Sequence, residues 1–204
     1  MGLVAANGAQ AEVSAKTIGQ DANSPFMRVF GRSLPPIGHV TFCKDFPAEC
    51  TPVNKKQRSP KVQLTWKRKV ELRDINNLVN RMVKPASDMS LYGRIEHWTY
   101  PDGMGDCEDY VLLKQRMLIE RGWPAGALLI TVVLDENNEG HAVLTVRSSM
   151  GDFLLDNKRD DIRTWNDSPY VFVKRQSARD PRVWVSLTKP GKRRVKSLAG
   201  TGTN

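Results

Sequence analysis

The sequence has few of the features that mark a membrane protein or a zinc-binding protein. None of its apolar runs approaches the roughly 20 residues that cross a bilayer, so no membrane span is predicted. It holds only three histidines and three cysteines, and no second Cys or His pair follows Cys43 and Cys50 at zinc-finger spacing. The opening stretch MGLVAANGAQAEVSAKT has neither a basic start nor an apolar run, so we expect no export signal in it, as in a mature exported protein. A composition of 40% hydrophobic residues is that of a globular domain.

The net charge is strongly positive, but it is not concentrated in one segment. Lys and Arg number 31 against 22 Asp and Glu, which gives a net charge of +9. A surplus of this size can indicate nucleic-acid binding. Here it comes from residues 54–61, 66–69 and 189–196, and no aromatic residues alternate with the basic ones in the first or third segment. Such segments are typical of solvated loops and tails, so we predict no nucleic-acid partner.

The three cysteines fall into a close pair and a single residue. Cys43 and Cys50 lie near each other in FCKDFPAEC, and Cys107 stands alone. The pair is consistent with a disulfide bond, which would indicate an oxidising compartment, or with two reduced and buried thiols. In either case Cys107 is predicted to be a free thiol.

Composition divides the chain into a lead, one domain and a tail. Residues 1–25 are rich in Ala, Gly, Asn and Ser without periodicity, so they are predicted to form a flexible lead. Residues 26–187 are predicted to form a single domain, whose first part, up to residue 60, is expected to hold loops and short turns. Residues 188–204 are predicted to be a basic, disordered tail.

The period of the apolar residues changes once along the domain. Between residues 62 and 84 they recur at steps of three and four, which predicts a helix that Pro85 ends. A second helix is predicted to begin after Asp106 and to end at Gly122 and Pro124. The period then becomes two, and strands are predicted at residues 127–135, 141–147, 152–156, 170–177 and 183–187. This order predicts an α+β fold in which N-terminal helices pack on an antiparallel sheet.

The second helix places Cys107 at its first position. Asp106 is predicted to be the N-cap and Asp109 the acidic member of a capping box. These two acids are expected to point away from Cys107, because each residue turns about 100° around a helix, although their charge still opposes a thiolate unless a cation binds them. Tyr110 and Val111 lie one turn on, so Cys107 is expected to face the sheet. A thiol at a helix N-terminus has a lowered pKa, which favours a nucleophile.

A base for this thiol is expected from the sheet. His141 opens a predicted strand, on the face that it shares with Val143, and the cysteine helix is expected to cover that sheet. If His141 lies directly opposite Asp156, the hairpin turns about Ser148 and Ser149, within a polar stretch. Asp156 would then orient the imidazole, His141 would accept the thiol proton, and the helix N-terminus would stabilise an oxyanion. The alternative is a core cysteine, a hydrogen-bonded histidine and an acid at a strand end, none of them catalytic.

Three motifs carry these residues, and as a set they point to a known family. GMGDCEDYVLLK, EGHAVLTV and GDFLLDN occur in this order, with NNLVN, DMSLYG, HWTYP and VFVKRQSARDPRVW around them. Together they resemble the bacterial transglutaminase-like cysteine proteinases, relatives of the periplasmic LapG-type enzymes that cleave surface adhesins. The resemblance runs from about residue 40 to 187. It implies a papain-like, transglutaminase-type core with Cys107 as nucleophile, His141 as base and Asp156 as the residue that orients the base.

The resemblance also implies a metal site, a substrate class and a location. LapG-type members bind calcium through acidic residues that flank the cysteine, and Asp106 and Glu108 stand at those positions, with Asp109 continuing the cluster. A hard cation suits such oxygen-rich surroundings, although helix capping alone also accounts for these acids. The implied partners are a protein substrate such as a surface adhesin and a membrane receptor that regulates the enzyme. The implied location is the periplasm.

Two other functions use the same residues. A transglutaminase-type acyl transferase would pass the acyl group to an amine instead of water, and the sequence does not separate this reaction from hydrolysis. A calcium-responsive binding module would retain the triad without using it. All three members of the predicted triad are present, which favours an enzyme over the binding module.

Overall fold

The computed structural model describes residues 19–54 and 61–189, which form a seven-stranded sheet with helices packed on it. The predicted lead up to residue 18, part of the basic segment 54–61 and the tail from residue 190 lie outside the described residues, and the domain boundaries stay predictions. The helices are α1 (Ile37–Asp45), α2 (Trp66–Met82), α3 (Asp88–Tyr92) and α4 (Cys107–Glu120). The strands are β1 (Arg32–Ser33), β2 (Lys84–Pro85), β3 (Met104–Gly105), β4 (Leu128–Leu134), β5 (Gly140–Ser148), β6 (Gly151–Leu155), β7 (Arg163–Thr164), β8 (Val171–Gln176) and β9 (Trp184–Ser186).

The large sheet has the strand order β1-β9-β8-β4-β5-β6-β7, and every neighbouring pair is antiparallel. The five predicted strands correspond to β4, β5, β6, β8 and β9, and the predicted α+β fold is confirmed. A separate parallel pair, β2 with β3, connects the end of α2 to the start of α4. This pair fixes the backbone of Met104 and Gly105, which lead into α4.

Helix α2 forms for the reasons that the sequence indicates, within narrower bounds than predicted. The side chain of Thr65 caps its first turn by accepting a hydrogen bond from the Arg68 backbone N–H at 3.3 Å. The helix ends at Met82, just before Lys84 enters β2. None of the described helices is both long and apolar enough to span a membrane. The face of α2 that packs inward consists of Leu72, Ile75, Asn76 and Val79.

The sheet is covered on both faces. Ala142 and Leu144 of β5 belong to the core that contains α4, whereas Val143 belongs to a second core with Phe172 and Trp165. Alternate strand residues point to opposite faces, so α4 covers the face of Ala142 and not the face of Val143. Each large apolar side chain buried in these cores contributes about 1.5–3 kcal/mol.

The expectation of loops and short turns for residues 26–60 is wrong in part, because α1 lies within this segment. Only Gly38, His39 and Phe42 are buried in α1, so no apolar stripe marks the helix in the sequence. A disulfide bond joins Cys43 of α1 to Cys50, which ends a short 3₁₀ helix, so the disulfide alternative for this pair is the one observed.

The hairpin of β5 and β6 has a register two residues away from the predicted one. Ser148 pairs with Gly151, so the turn consists of residues 149 and 150. His141 is therefore not directly opposite Asp156. A shift of two residues leaves every side chain on its original face, so the two side chains still lie diagonally on one face of the sheet.

Candidate active site

The first turn of α4 is held by contacts other than the predicted capping box. Asp106 occupies the N-cap position, as predicted, but its side chain makes no capping hydrogen bond, so the complete capping box is not formed. Asp109 instead accepts a hydrogen bond from the Thr99 backbone N–H at 2.9 Å through Oδ1. Gly105 lies directly against Asp109, since a Cβ at this position would be 2.6 Å from its Oδ2. Asp109 therefore ties α4 to the preceding connection.

Cys107 is a half-buried free thiol at the first position of α4. Its Sγ accepts a hydrogen bond from the Ala142 backbone N–H at 3.3 Å and donates one to Glu108 Oε2 at 3.1 Å. Burial and the charges of Glu108 and Asp106 raise the pKa of this thiol well above its usual range, while the Ala142 N–H acts to lower it. The acids next to Cys107 in sequence thus do not all point away from it, because Glu108 bends back to the sulfur.

His141 and Asp156 form a buried hydrogen-bonded pair. His141 Nε2 lies 2.9 Å from Asp156 Oδ1, and both side chains are almost inaccessible to solvent. Asp156 Oδ1 also accepts a hydrogen bond from the Lys158 backbone N–H at 3.0 Å. With Nε2 directed at the carboxylate, Nδ1 of the imidazole is the nitrogen left to accept a proton.

Tyr170 holds the second oxygen of the same carboxylate. Its hydroxyl donates to Asp156 Oδ2 at 2.5 Å, and its ring packs edge-on against His141 at 5.6 Å. Burial acts to raise the pKa of Asp156, but the hydrogen bond and charge of His141 and the Tyr170 hydroxyl outweigh it and lower the pKa to about 2. Asp156 is therefore an anion throughout the neutral range. No local pattern in the sequence indicates that Tyr170 contacts Asp156.

A cavity of about 610 Å³ contains both Cys107 and His141 on its walls. The predicted triad residues are thus gathered in one place, with Asp156 buried behind His141. Apolar side chains make up much of the lining, namely Pro36, Met89, Ile95, Trp98, Val132 and Ala142. A concave, mostly apolar cleft with a few polar groups is what a peptide or another organic ligand requires.

Trp98 serves both as a core residue and as a wall of this cavity. Its ring packs edge-on against His39 and Trp184, with ring centres 5.5 and 6.3 Å away. Its Nε1 donates to Glu96 Oε2 at 3.2 Å, which directs the indole edge towards the cavity. Gly38 makes this packing feasible, because a Cβ there would lie 2.2 Å from Trp98 Cδ1. Trp98 was not predicted as a site residue, because an aromatic residue after a loop belongs more often to the core than to the wall of a cleft.

Three acids gather beside the cavity, namely the buried Asp88 and Asp109 and the half-buried Asp106. One carboxylate oxygen from each lies within 4.8 Å of the other two. Among the described residues, Asp88 Oδ1, Asp106 Oδ1 and Asp109 Oδ2 are buried oxygens without a hydrogen-bond partner. Burial and the neighbouring acids raise the pKa of Asp109 to about 8 and that of Asp106 to about 6, although the Thr99 N–H and a hydrogen bond with Glu108 oppose these increases. Glu108, the other predicted ligand, contacts Cys107.

Asp88 is the member of this cluster that the sequence did not indicate. It begins the short helix α3, where Ser87 accepts a hydrogen bond from the Ser90 backbone N–H at 3.3 Å. Asp88 itself accepts a hydrogen bond from the His97 backbone N–H. This contact closes residues 88–97 into a loop that carries Asp88 to the start of α4, and no local pattern in the sequence predicts such a closure.

Comparisons with known proteins identify the family and the fold of the chain. The family model described as bacterial transglutaminase-like cysteine proteinase BTLCP matches residues 29–192. Calcium-bound LapG from Legionella pneumophila has a similar structure, with a TM-score of 0.50 and 21% identity over 80% of this chain and 93% of that one. EGTA-treated LapG from the same organism has the same score and identity, over 74% of this chain and 86% of that one. At this identity the likeness shows a shared fold. No curated protein matches the sequence.

Proposed function

Since the chain belongs to the bacterial transglutaminase-like cysteine proteinase family, we propose that it is a cysteine endopeptidase with Cys107 as nucleophile, His141 as base and Asp156 as the residue that orients the base. The observation that carries this proposal is the 2.9 Å contact between His141 Nε2 and Asp156 Oδ1 beside the cavity that Cys107 lines. A nucleophile, a base and a third group that orients the base are the parts of a covalent acyl-transfer site.

The reaction begins when the Cys107 thiol turns from Glu108 and gives its proton to His141 Nδ1. The sulfur then attacks the carbonyl carbon of the peptide, and the carbonyl π electrons move to the oxygen. Backbone N–H groups in the first turn of α4, which have no partner within the helix, stabilise this oxyanion. His141 protonates the leaving amine as the C–N bond breaks, and it then deprotonates the water that releases the acyl group from Cys107.

Asp156 supports both proton transfers through its charge. With a pKa lowered to about 2, it stays ionised when the imidazole becomes positively charged. Its two oxygens are held by separate donors, the His141 ring and the Tyr170 hydroxyl. The carboxylate is therefore fixed before the substrate arrives, which is the condition for efficient electrostatic stabilisation.

We further propose that Asp88, Asp106 and Asp109 hold calcium, with Glu108 beside them. Calcium prefers several oxygen ligands, and each of the three acids offers a buried oxygen that makes no hydrogen bond within the described part of the chain. A bound divalent cation would neutralise the negative charge that raises the pKa of the Cys107 thiol. The calcium-bound form of the similar Legionella LapG supports the choice of this metal.

The proposed location is the periplasm, and the proposed substrate is a surface or envelope protein. The Cys43–Cys50 disulfide supports an oxidising compartment. A surface adhesin as the substrate and a membrane receptor as the regulator come from the family resemblance alone.

The proposed triad can be tested by the reactivity of its cysteine. We would treat the protein with iodoacetamide at pH 7 in the presence of calcium chloride and map the alkylated peptide by mass spectrometry. Cys107 should react faster than a free thiol, and His141→Gln should slow it by about a hundredfold, a typical effect of losing a general base. His97→Gln is the matched control, because His97 packs on Tyr92 and should leave the rate unchanged. A rate equal to that of a free thiol, or one indifferent to His141→Gln, would contradict the proposed triad.

Cleavage itself can be tested on envelope proteins from the source bacterium. New N-termini should appear after incubation with the wild-type protein and be absent with Cys107→Ala. Incorporation of an added amine in place of these N-termini would identify an acyl transferase. If neither product forms although calcium binds, the protein acts as a binding module.

A further inference from the structure

Two asparagines on consecutive turns of α2 hold the chain segment that carries Asp156. Asn76 Oδ1 accepts a hydrogen bond from the Asp156 backbone N–H at 3.0 Å, and its Nδ2 donates to the Arg159 carbonyl at 2.8 Å. Asn80 Nδ2 donates to the Asp156 carbonyl and to Asp160 Oδ1, both at 3.0 Å. Residues four apart lie on one face of a helix, so both amides reach the same segment.

These amides take the place of sheet hydrogen bonds. Strand β6 ends at Leu155, and its last pair with β5 is Leu155 with Leu144. The backbone groups of Asp156 therefore lie beyond the ladder, in a buried position where an unpaired N–H or C=O is costly. Asn76 and Asn80 pair both of them.

An amide side chain meets all of these requirements. Asn76 accepts from one backbone group and donates to another, which neither a carboxylate nor an aliphatic side chain can do. Asn80 donates to a carbonyl and to the Asp160 carboxylate, so an acid at this position would instead repel Asp160. Asn76 is completely buried, which makes its hydrogen bonds part of the protein interior.

We propose that Asn76 and Asn80 are positioning residues, which fix the backbone of Asp156 so that its carboxylate meets His141. This inference rests on the proposed catalytic triad. Without the two amides, the segment from Asp156 to Asp160 would be held by the side chain of Asp156 itself and by ion pairs of Lys158 and Arg159 with a neighbouring loop, and the carboxylate would no longer have one orientation. The distance between Asp156 Oδ1 and His141 Nε2 would then vary, and Cys107 would lose part of its activation.

The test compares Asn76→Leu and Asn80→Leu with Asn77→Leu. Asn77 lies on the same helix and forms no side-chain hydrogen bond among the described residues, so it is the matched control. Nitrogen-15 NMR of labelled histidine, assigned by the His141→Gln variant, reports which ring nitrogen of His141 carries the proton and whether it is hydrogen-bonded. We expect a single Nε2–H form in the wild type and in Asn77→Leu, and a mixture of forms in the other two variants.

The alkylation rate of Cys107 by iodoacetamide supplies the second measurement. It should fall about ten- to a hundredfold in Asn76→Leu and Asn80→Leu, by analogy with the loss seen when the hydrogen-bond partners that orient metal-binding histidines are removed. If Asn76→Leu does not fold, Asn80→Ser at the half-buried position carries the test. Variants that lose thermal stability but keep the wild-type His141 spectrum and alkylation rate would overturn the proposal and leave the triad intact. A wild-type rate in His141→Gln would instead reject the triad itself.

Discussion

Lys114 allows a quantitative test of how the interior beneath the candidate site is stabilised. It lies two turns after Cys107 on α4, it is fully buried, and its Nζ has no hydrogen-bond partner in the described part of the chain. Burial lowers its pKa from 10.5 to about 7, although the charges of Asp156 and Asp160 act to raise it. Replacing Lys114 by methionine keeps the length of the side chain and removes the buried amine.

The size of the expected effect follows from the pKa. A fall from 10.5 to about 7 corresponds to about 5 kcal/mol of unfavourable free energy for burying the charged lysine. Below pH 7 the lysine is protonated in both the folded and the unfolded chain, so this cost is complete and constant. Between pH 7 and 10.5 the unfolded chain binds the proton and the folded chain does not, so the free energy of unfolding rises with pH. Lys114→Met should therefore stabilise the protein by about 5 kcal/mol below pH 7, and this gain should vanish towards pH 10.5.

Urea unfolding at pH 6.5 and pH 9.5 measures this difference. Lys67→Met is the matched control, since Lys67 is exposed on α2 and its replacement should change the free energy of unfolding by less than about 0.5 kcal/mol. A gain of the same size at both pH values would show that methionine packs better and that the charge is not responsible. A less stable Lys114→Met at pH 6.5 would refute the reasoning, because it would mean that the ammonium is well paired in the folded protein.

Two further predictions concern the candidate site. Tyr170→Phe removes a hydrogen bond to the Asp156 carboxylate and should lower the free energy of unfolding at pH 7 by about 1.5–3 kcal/mol. In urea unfolding, this difference between wild type and variant should shrink as the pH falls from 3.8 towards about 2, where Asp156 takes up its proton. A difference that stays constant over this pH range would contradict the prediction. Calcium at about a hundredfold above its Kd should raise Tm by about 5–10 °C in differential scanning calorimetry. Asp88→Asn should lose most of this rise and the exposed Asp102→Asn should keep it, so equal responses in the two variants would reject the metal site.

The helices and strands that the sequence predicted are those with a strong local pattern. The spacing of Ile75, Val79 and Met82 indicated α2, and two apolar runs on either side of the turn ENNEG indicated β4 and β5. Helix α1 has no such pattern, because its buried residues include Gly38 and His39 and its packing depends on distant tryptophans. Its existence is decided by tertiary contacts, which a single sequence does not display.

The register of the β5–β6 hairpin also depends on tertiary contacts that the sequence does not display. Ser148 Oγ donates to the Gly151 carbonyl at 2.8 Å and accepts from the Met150 N–H at 3.1 Å, which fixes a two-residue turn. Gly151 has a φ of 146°, which favours glycine. A Cβ there would also lie 2.9 Å from the carbonyl oxygen of Pro25, so the turn depends on a segment remote in sequence. The sequence could indicate the turn region but not which residues form it.

The cysteine, the histidine and the acid could be chosen from the sequence because each stands at the start or end of a predicted element. Their supports could not, since Tyr170 and Asn76 are ordinary core and helix residues until the chain is folded. Asp88 likewise belongs to the acidic cluster only through the loop closed by His97.

The anchoring of Asp156 from α2 also has a consequence for folding. The hydrogen bonds from Asn76 and Asn80 to Asp156 join residues 80 and 76 positions apart, so they form only after most of the chain has come together. Under the proposed function, an extended chain, or a fragment that lacks α2, would contain all three triad residues and have no working catalytic site. Proteolytic activity would thus appear as one of the last events of folding, and the cell would need no separate inhibitor to keep an unfolded chain harmless.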